Sequence, residues 1–217
     1  MDAFPINIRD IVIDFLESDD ENGVVYEGNP TRIPGTMQIS VTPTVASASL
    51  YGDGNQRDHQ DAIGGYDVSL EHNKIPPPTR ARMRGQKLDR NTGVYISNTK
   101  DVAKQFAIGW TVDLTGGHVE VTWLLKCKAV PTERTVEQKK GDAIVYSTDS
   151  LNITAMPLAY NNDFDYIADT SDEYSGFTHE KAATFFDKVL VVPPRSTVNP
   201  DPETPPEPGE TKSGIAA

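Results

Sequence analysis

The chain has 217 residues, one cysteine and a formal charge of -12, with 20 Lys and Arg against 32 Asp and Glu. A domain of this length can bury about 70% of its unfolded surface, so it needs no disulfide framework. The acidic balance argues against a nucleic-acid backbone binder, which requires clustered Lys and Arg, and no apolar run approaches the length of a membrane span.

The opening Met1-Asp2-Ala3-Phe4-Pro5 shows no basic stretch followed by an apolar core, so no export signal is expected. A lone Cys127 fits folding in a reducing cytoplasm. Ile6 to Leu16 reads as a strand, with Ile11, Ile13 and Phe15 in one phase. Asp19-Asp20-Glu21-Asn22-Gly23 turns the chain, and Val24-Val25-Tyr26 returns. A second strand opens at Thr36, where Met37, Ile39 and Val41 alternate with Gln38, Ser40 and Thr42, and it resumes past Pro43 through Ala48, Leu50 and Tyr51. Gly52 to Gly65 is expected to be a long polar loop, and loops of that length usually carry function. Tyr66, Val68 and Leu70 then resume the sheet.

Pro76-Pro77-Pro78 leads into a marginal helix over Thr79 to Leu88, and Val94 to Ser97 is a short strand. The strongest signal is Lys104 to Lys128. There Phe106, Ile108, Trp110, Val112 and Leu114 alternate with polar residues, as do Val119, Val121, Trp123, Leu125 and Cys127 after Gly116-Gly117. This pattern predicts an antiparallel hairpin with one buried and one polar face, and with Trp110, Trp123 and Cys127 in the core. Val130 to Asp142 reads as a charged loop, and Ile144-Val145-Tyr146 with Leu151, Ile153 and Ala155 as the last strands. Thr178 is placed to cap one helix whose apolar face carries Ala182, Phe185, Phe186, Val189 and Leu190. Residues 1–192 are expected to form one domain and 193–217, with seven prolines, an extended tail.

No catalytic constellation emerges. His179-Glu180-Lys181-Ala182-Ala183 begins like a zinc-protease helix but has Ala183 in place of the second histidine. Asp53-Gly54-Asn55-Gln56-Arg57-Asp58 imitates a calcium loop but puts Arg57 at a ligand position. Asp163, Asp165, Asp169, Asp172 and Glu173 follow no known cation spacing. Neither a Gly-x-Ser-x-Gly elbow nor a phosphate-binding glycine loop is present. We therefore expect a non-enzyme without cofactor or metal. Arg80, Arg82, Arg84 and Lys87 form the one basic cluster, a candidate dock for an acidic patch on a neighbouring copy.

Several short stretches in order carry a family resemblance. They are Ile33-Pro34-Gly35, Ser47-Ala48-Ser49-Leu50-Tyr51-Gly52-Asp53, Gly64 to Leu70, Ala107-Ile108-Gly109-Trp110, Val121-Thr122-Trp123-Leu124-Leu125-Lys126 and Gln138-Lys139-Lys140-Gly141-Asp142. Over Ile6 to Tyr160 the chain resembles the major tail proteins of long-tailed phages with non-contractile tails, especially those of Gram-positive hosts. The resemblance implies a mainly β, antiparallel sandwich or barrel-like tail-tube fold with one flanking α-helix. It also implies hexameric rings stacked into a hollow virion tail, assembled in the host cytoplasm, with other tail proteins at the tube ends. Phage DNA would transit the lumen without specific binding, and no membrane insertion is expected. The inter-ring contact would fall on Gly52, Asp53, Gly54, Asn55, Gln56, Arg57, Asp58, His59, Gln60, Asp61, Gly64 and Gly65. A rival reading is a β-sandwich binding module that grips a glycan or cell-surface partner through Tyr160 to Phe177 or another loop.

Overall fold

The computed structural model describes residues 3–9, 11–52, 55–131 and 148–194. Where one strand is expected over Ile6 to Leu16, the chain makes two, β1 (Pro5–Ile8) and β2 (Ile11–Asp20). They pair with successive stretches of one edge of a later strand, so the chain must break between them. β2 turns through Glu21-Asn22 into β3 (Gly23–Tyr26), with Asp20 opposite Gly23; the turn lies where expected, but neither Asn22 nor Gly23 takes the positive φ that an Asn-Gly turn would use. β4 (Thr31–Ile33) pairs back onto β2.

The main departure comes next. β5 (Thr36–Gly52) and β6 (Asn55–His72) run 17 and 18 residues and pair from Thr36 opposite His72 out to Gly52 opposite Asn55. The expected polar loop from Gly52 to Gly65 is therefore mostly strand, and β5 runs on through Pro43 without a break. Polarity misled the reading: these residues alternate between two solvated faces, so no apolar phase marks them as strand.

α1 (Pro77–Arg84) starts on two prolines and buries Thr79, Ala81 and Met83. It stops at Gly85, whose φ of 75° suits the left-handed cap, so the expected helix to Leu88 is cut short. A Cβ at Gly85 would lie 2.3 Å from the Val102 carbonyl oxygen, so only glycine fits there. β7 (Lys87–Asp89) and β8 (Val94–Ile96) make a separate small hairpin. β9 (Phe106–Leu114) and β10 (Val119–Val130) are the predicted central hairpin, turned through Gly116 and Gly117 at positive φ. β11 (Asp149–Met156) follows, then β12 (Asp165–Asp169), which the sequence reading missed, and finally α2 (His179–Thr184). Ile144-Val145-Tyr146 and residues 195–217 lie outside the described residues.

Ten strands join in the order β3-β2-β9-β10-β11-β6-β5, with β1 beside β9, β12 beside β10 and β4 beside β2. Side chains from β2, β4, β6, β9, β10 and β11 meet in one core built on Ile11, Ile33, Leu70, Phe106, Ile108, Leu124 and Ile153. Distant strands of the sheet share this core, so the sheet curls around it. The opposite face of β9 and β10 is also covered. There Val12, Val121, Trp123 and Leu125 pack under Leu158, Phe186 and Val189. The central hairpin is thus buried on both faces along much of its length, not on one. A bulge between Leu124 and Cys127 shifts the register and moves Cys127 to the face of Leu124, away from Trp123.

α2 spans only six residues, and Thr178 caps it by accepting the Lys181 N–H at 3.4 Å. So short a helix has little stability alone. It is held where the Trp123 indole N–H donates to the Phe185 carbonyl at 3.2 Å and Phe186 packs edge-on against Trp123. Of the expected apolar face, Phe186 and Val189 are buried but Leu190 is exposed. Both helices expected from the sequence are thus present, in shorter form, where the resemblance implies one.

Candidate self-assembly surface

The outer part of β5 and β6 leaves the body as a two-stranded ribbon. β6 pairs with β11 only from Tyr66 to His72. Among the described residues, no strand pairs with its free edge from Asn55 to Gly64 or with the outer edge of β5, although β1 comes close to β5. From Val45 to Gly52 the ribbon extends about 23 Å at the usual rise per residue. Its described side chains from Pro43 to Ser49 and from Arg57 to Gly64 are exposed on both faces. Val45 faces Ile63, each about half exposed. Ala46 faces Ala62 on the other side.

On the Val45 face, Ser47 Oγ donates to Asp61 Oδ1 at 2.6 Å. Ser49 Oγ and His59 Nδ1 lie 2.8 Å apart, and His59 Nε2 lies 3.1 Å from Asp61. This row has the residue types of a hydrolase triad. It sits on an open ribbon, however, and triad chemistry needs a walled site that places a carbonyl beside oxyanion donors. These are cross-strand bonds that stiffen the ribbon. Asp58 Oδ1 accepts the His59 N–H at 2.9 Å. Asp53 and Gly54 lie outside the described residues.

Two further edges are open. β1 and β12 flank the half-sheet β1-β9-β10-β12, and no strand pairs with their outer sides among the described residues. Both carry exposed apolar side chains, Ile6 on β1 and Ile167 on β12. Glu120 lies beside Asp169 on this half-sheet, and burial with that neighbour raises its carboxyl above the usual range. Burial likewise raises Asp165.

The basic cluster divides. Arg82 Nη2 lies 2.5 Å from Glu27 and its guanidinium stacks 3.9 Å over the Phe15 ring. Lys104 joins the same carboxylate. Burial would raise Glu27, but its bonds from Arg82 and Lys104 outweigh that and hold it below the usual range. Arg80 pairs with Asp149 at 3.8 Å. These two arginines tie α1 to the body, whereas Lys87 on β7 is exposed and Arg84 is half-buried.

The acidic stretch does not gather into a cage. Asp163 and Asn161 bond to the Tyr166 hydroxyl, and Asp169 caps the Ser171 N–H. Among the described residues no group of three or more His, Cys, Asp or Glu is placed to hold a metal, and no helix is long and apolar enough to cross a membrane. His118 and His179 stack at 6.1 Å. A scan of protein-family models and a search of curated proteins both return no match.

The sequence held one signal for the ribbon that polarity masked. Asp53-Gly54 is a two-residue hairpin dipeptide, and it falls between the paired Gly52 and Asn55. β12 had no comparable marker, because Asp165-Tyr166-Ile167-Ala168-Asp169 is short and ends in acids.

Proposed function

We propose that this chain is a structural subunit that assembles with copies of itself, as a tail-tube protein of a long-tailed phage does. The carrying observation is the ribbon of β5 and β6, which is exposed on both faces and both edges. An isolated two-stranded hairpin is marginal in water, and open strand edges are templates for another chain. A partner that covers the ribbon supplies what the monomer lacks. The open edges of β1 and β12 lie on opposite sides of one half-sheet, so an edge-to-edge contact between copies is heterologous and closes a ring when its rotation allows. The ribbon then carries contacts between rings.

Ring stacking gives a hollow tube, and the net-acidic chain suits a passage through which DNA slides without sticking. The glycan-binding reading has less support. In the groove beside Tyr160 and Phe164, the Asn161 Nδ2 already donates to Asp163, Tyr166 and the Val192 carbonyl.

The test is electron microscopy and sedimentation of the purified 217-residue chain. Rings or tubes are the expected result. A species that stays monomeric at every accessible concentration sinks the proposal.

A further inference from the structure

Charge is distributed unevenly along this acidic chain. Residues 80–104 carry seven Arg and Lys against two Asp, a local +5 in a protein of -12. They build the lobe of α1, β7 and β8, anchored where Gly85 meets the Val102 backbone. The lobe leaves Leu88, Val94, Ile96 and Val102 exposed, with Val102 at 78%. Between Lys87 and Lys100 lies a groove of about 500 Å³ walled by Ile96 and Val102. The one acid in it, Asp101, already accepts the Asn98 N–H at 2.6 Å.

The opposite character stands at the other end of β10. The lobe lies against Lys128, Ala129 and Pro131, whereas the turn after β12 bonds through the Thr170 N–H to the carbonyl of Val119. Twelve residues of strand separate the two ends, roughly 36 Å at the usual rise. That turn presents Asp172, Glu173 and Tyr174, and Tyr174 is 91% exposed. Water is a poor environment for a whole tyrosine ring, and tyrosine is a frequent interface anchor.

We infer that the Lys87–Lys100 groove receives the Asp172-Glu173-Tyr174 turn of a second copy. The ring of Tyr174 fills the apolar floor between Ile96 and Val102, and the two acids meet the two lysines. Because groove and turn sit at opposite ends of one subunit, the contact is head-to-tail, and it closes a ring or runs on as a filament according to its rotation. The inference rests on the self-assembly reading and names the surface through which subunits meet along the strand direction.

Charge exchange tests it. The variant Lys87→Glu/Lys100→Glu and the variant Glu173→Lys should each need at least about tenfold more protein to assemble, as should Tyr174→Ala. An equimolar mixture of the two charge variants should recover assembly, since each reversed groove then meets a reversed turn. Carbodiimide cross-linking of assembled wild-type protein should join Lys87 or Lys100 to Glu173 or Asp172. If wild type assembles while all variants match it, or those lysines link instead to Asp58 or Asp61 of the ribbon, the docking inference is overturned and the assembly reading stands. A wild type that never associates overturns both. All substituted side chains are exposed, and circular dichroism of each variant checks that the fold is kept.

Discussion

Gly109 shows how single positions set the packing of the central hairpin. It lies opposite Trp123, and a Cβ there would sit 2.5 Å from Phe186 Cε1 and 2.8 Å from Trp123 Cε3. Gly109→Ala should therefore cost about 1–3 kcal/mol by overpacking, read by urea denaturation. Asp19 is a second such position. Its carboxylate lies 2.6 Å from Lys126 Nζ and accepts the N–H groups of Ala159 and Tyr160, so it pins the chain after β11 to the end of β2. Asp19→Ala leaves a mostly buried ammonium and two amides unpaired, and should cost about 3 kcal/mol. Glu120 works in the other direction. Its folded pKa is raised, so the stability linked to its protonation is present below the unfolded pKa and lost as pH rises through the folded value. Glu120→Gln should be more stable than wild type at neutral pH, and the gap should close as pH falls below the usual glutamate range; a constant gap across pH would refute this. Glu27 has the opposite sign, with its contribution present at neutral pH and lost on acidification. None of these roles could be read from the sequence, because each depends on a partner more than ten residues away.

At the scale of elements, legibility followed burial. β9 and β10 were plain because their apolar phases are long and continuous. The turn into β3 was equally plain in position, since the polar run from Asp19 to Asn22 separates two apolar stretches, although its backbone is not the positive-φ form expected of Asn-Gly. Cys127 was placed in the core but on the wrong face, because a one-residue bulge inverts every side chain beyond it. The β6 side of the ribbon was read as a loop because residues 55–62 are polar or small, whereas the β5 side was read as strand. The segment from Gly52 to Gly65 was thus singled out as a loop where the structure has mostly strand. An isolated ribbon predicts a clean separation of effects. Replacing residues 45–63 by a short turn should leave the thermal midpoint of the body within a few degrees of wild type and abolish higher assembly. Loss of the cooperative transition would show that the ribbon belongs to the core. Its open edges also predict slow amide-exchange protection on assembly, strongest along the outer edge of β5.

The whole molecule is polarised. One end of the long strand β10 bears the basic lobe, and the other bears the turn after β12 with its acids and exposed tyrosine. Such an arrangement makes association sensitive to salt, since exposed charges are screened beyond about 10 Å at 0.1 M. Raising ionic strength should weaken association if this contact dominates, and salt-promoted assembly would instead point to apolar burial as the driving term. The polarity was hidden in the sequence because β12 was not expected, so nothing marked Asp169 to Tyr174 as the far end of the central strand. The bulge that turns Cys127 inward has one more outcome. With its sulfur wholly enclosed and its ionisation suppressed by burial, the only thiol in the chain becomes an intrinsic clock for opening. Its alkylation rate under native conditions then counts how often the core around it opens, with no label or engineered probe.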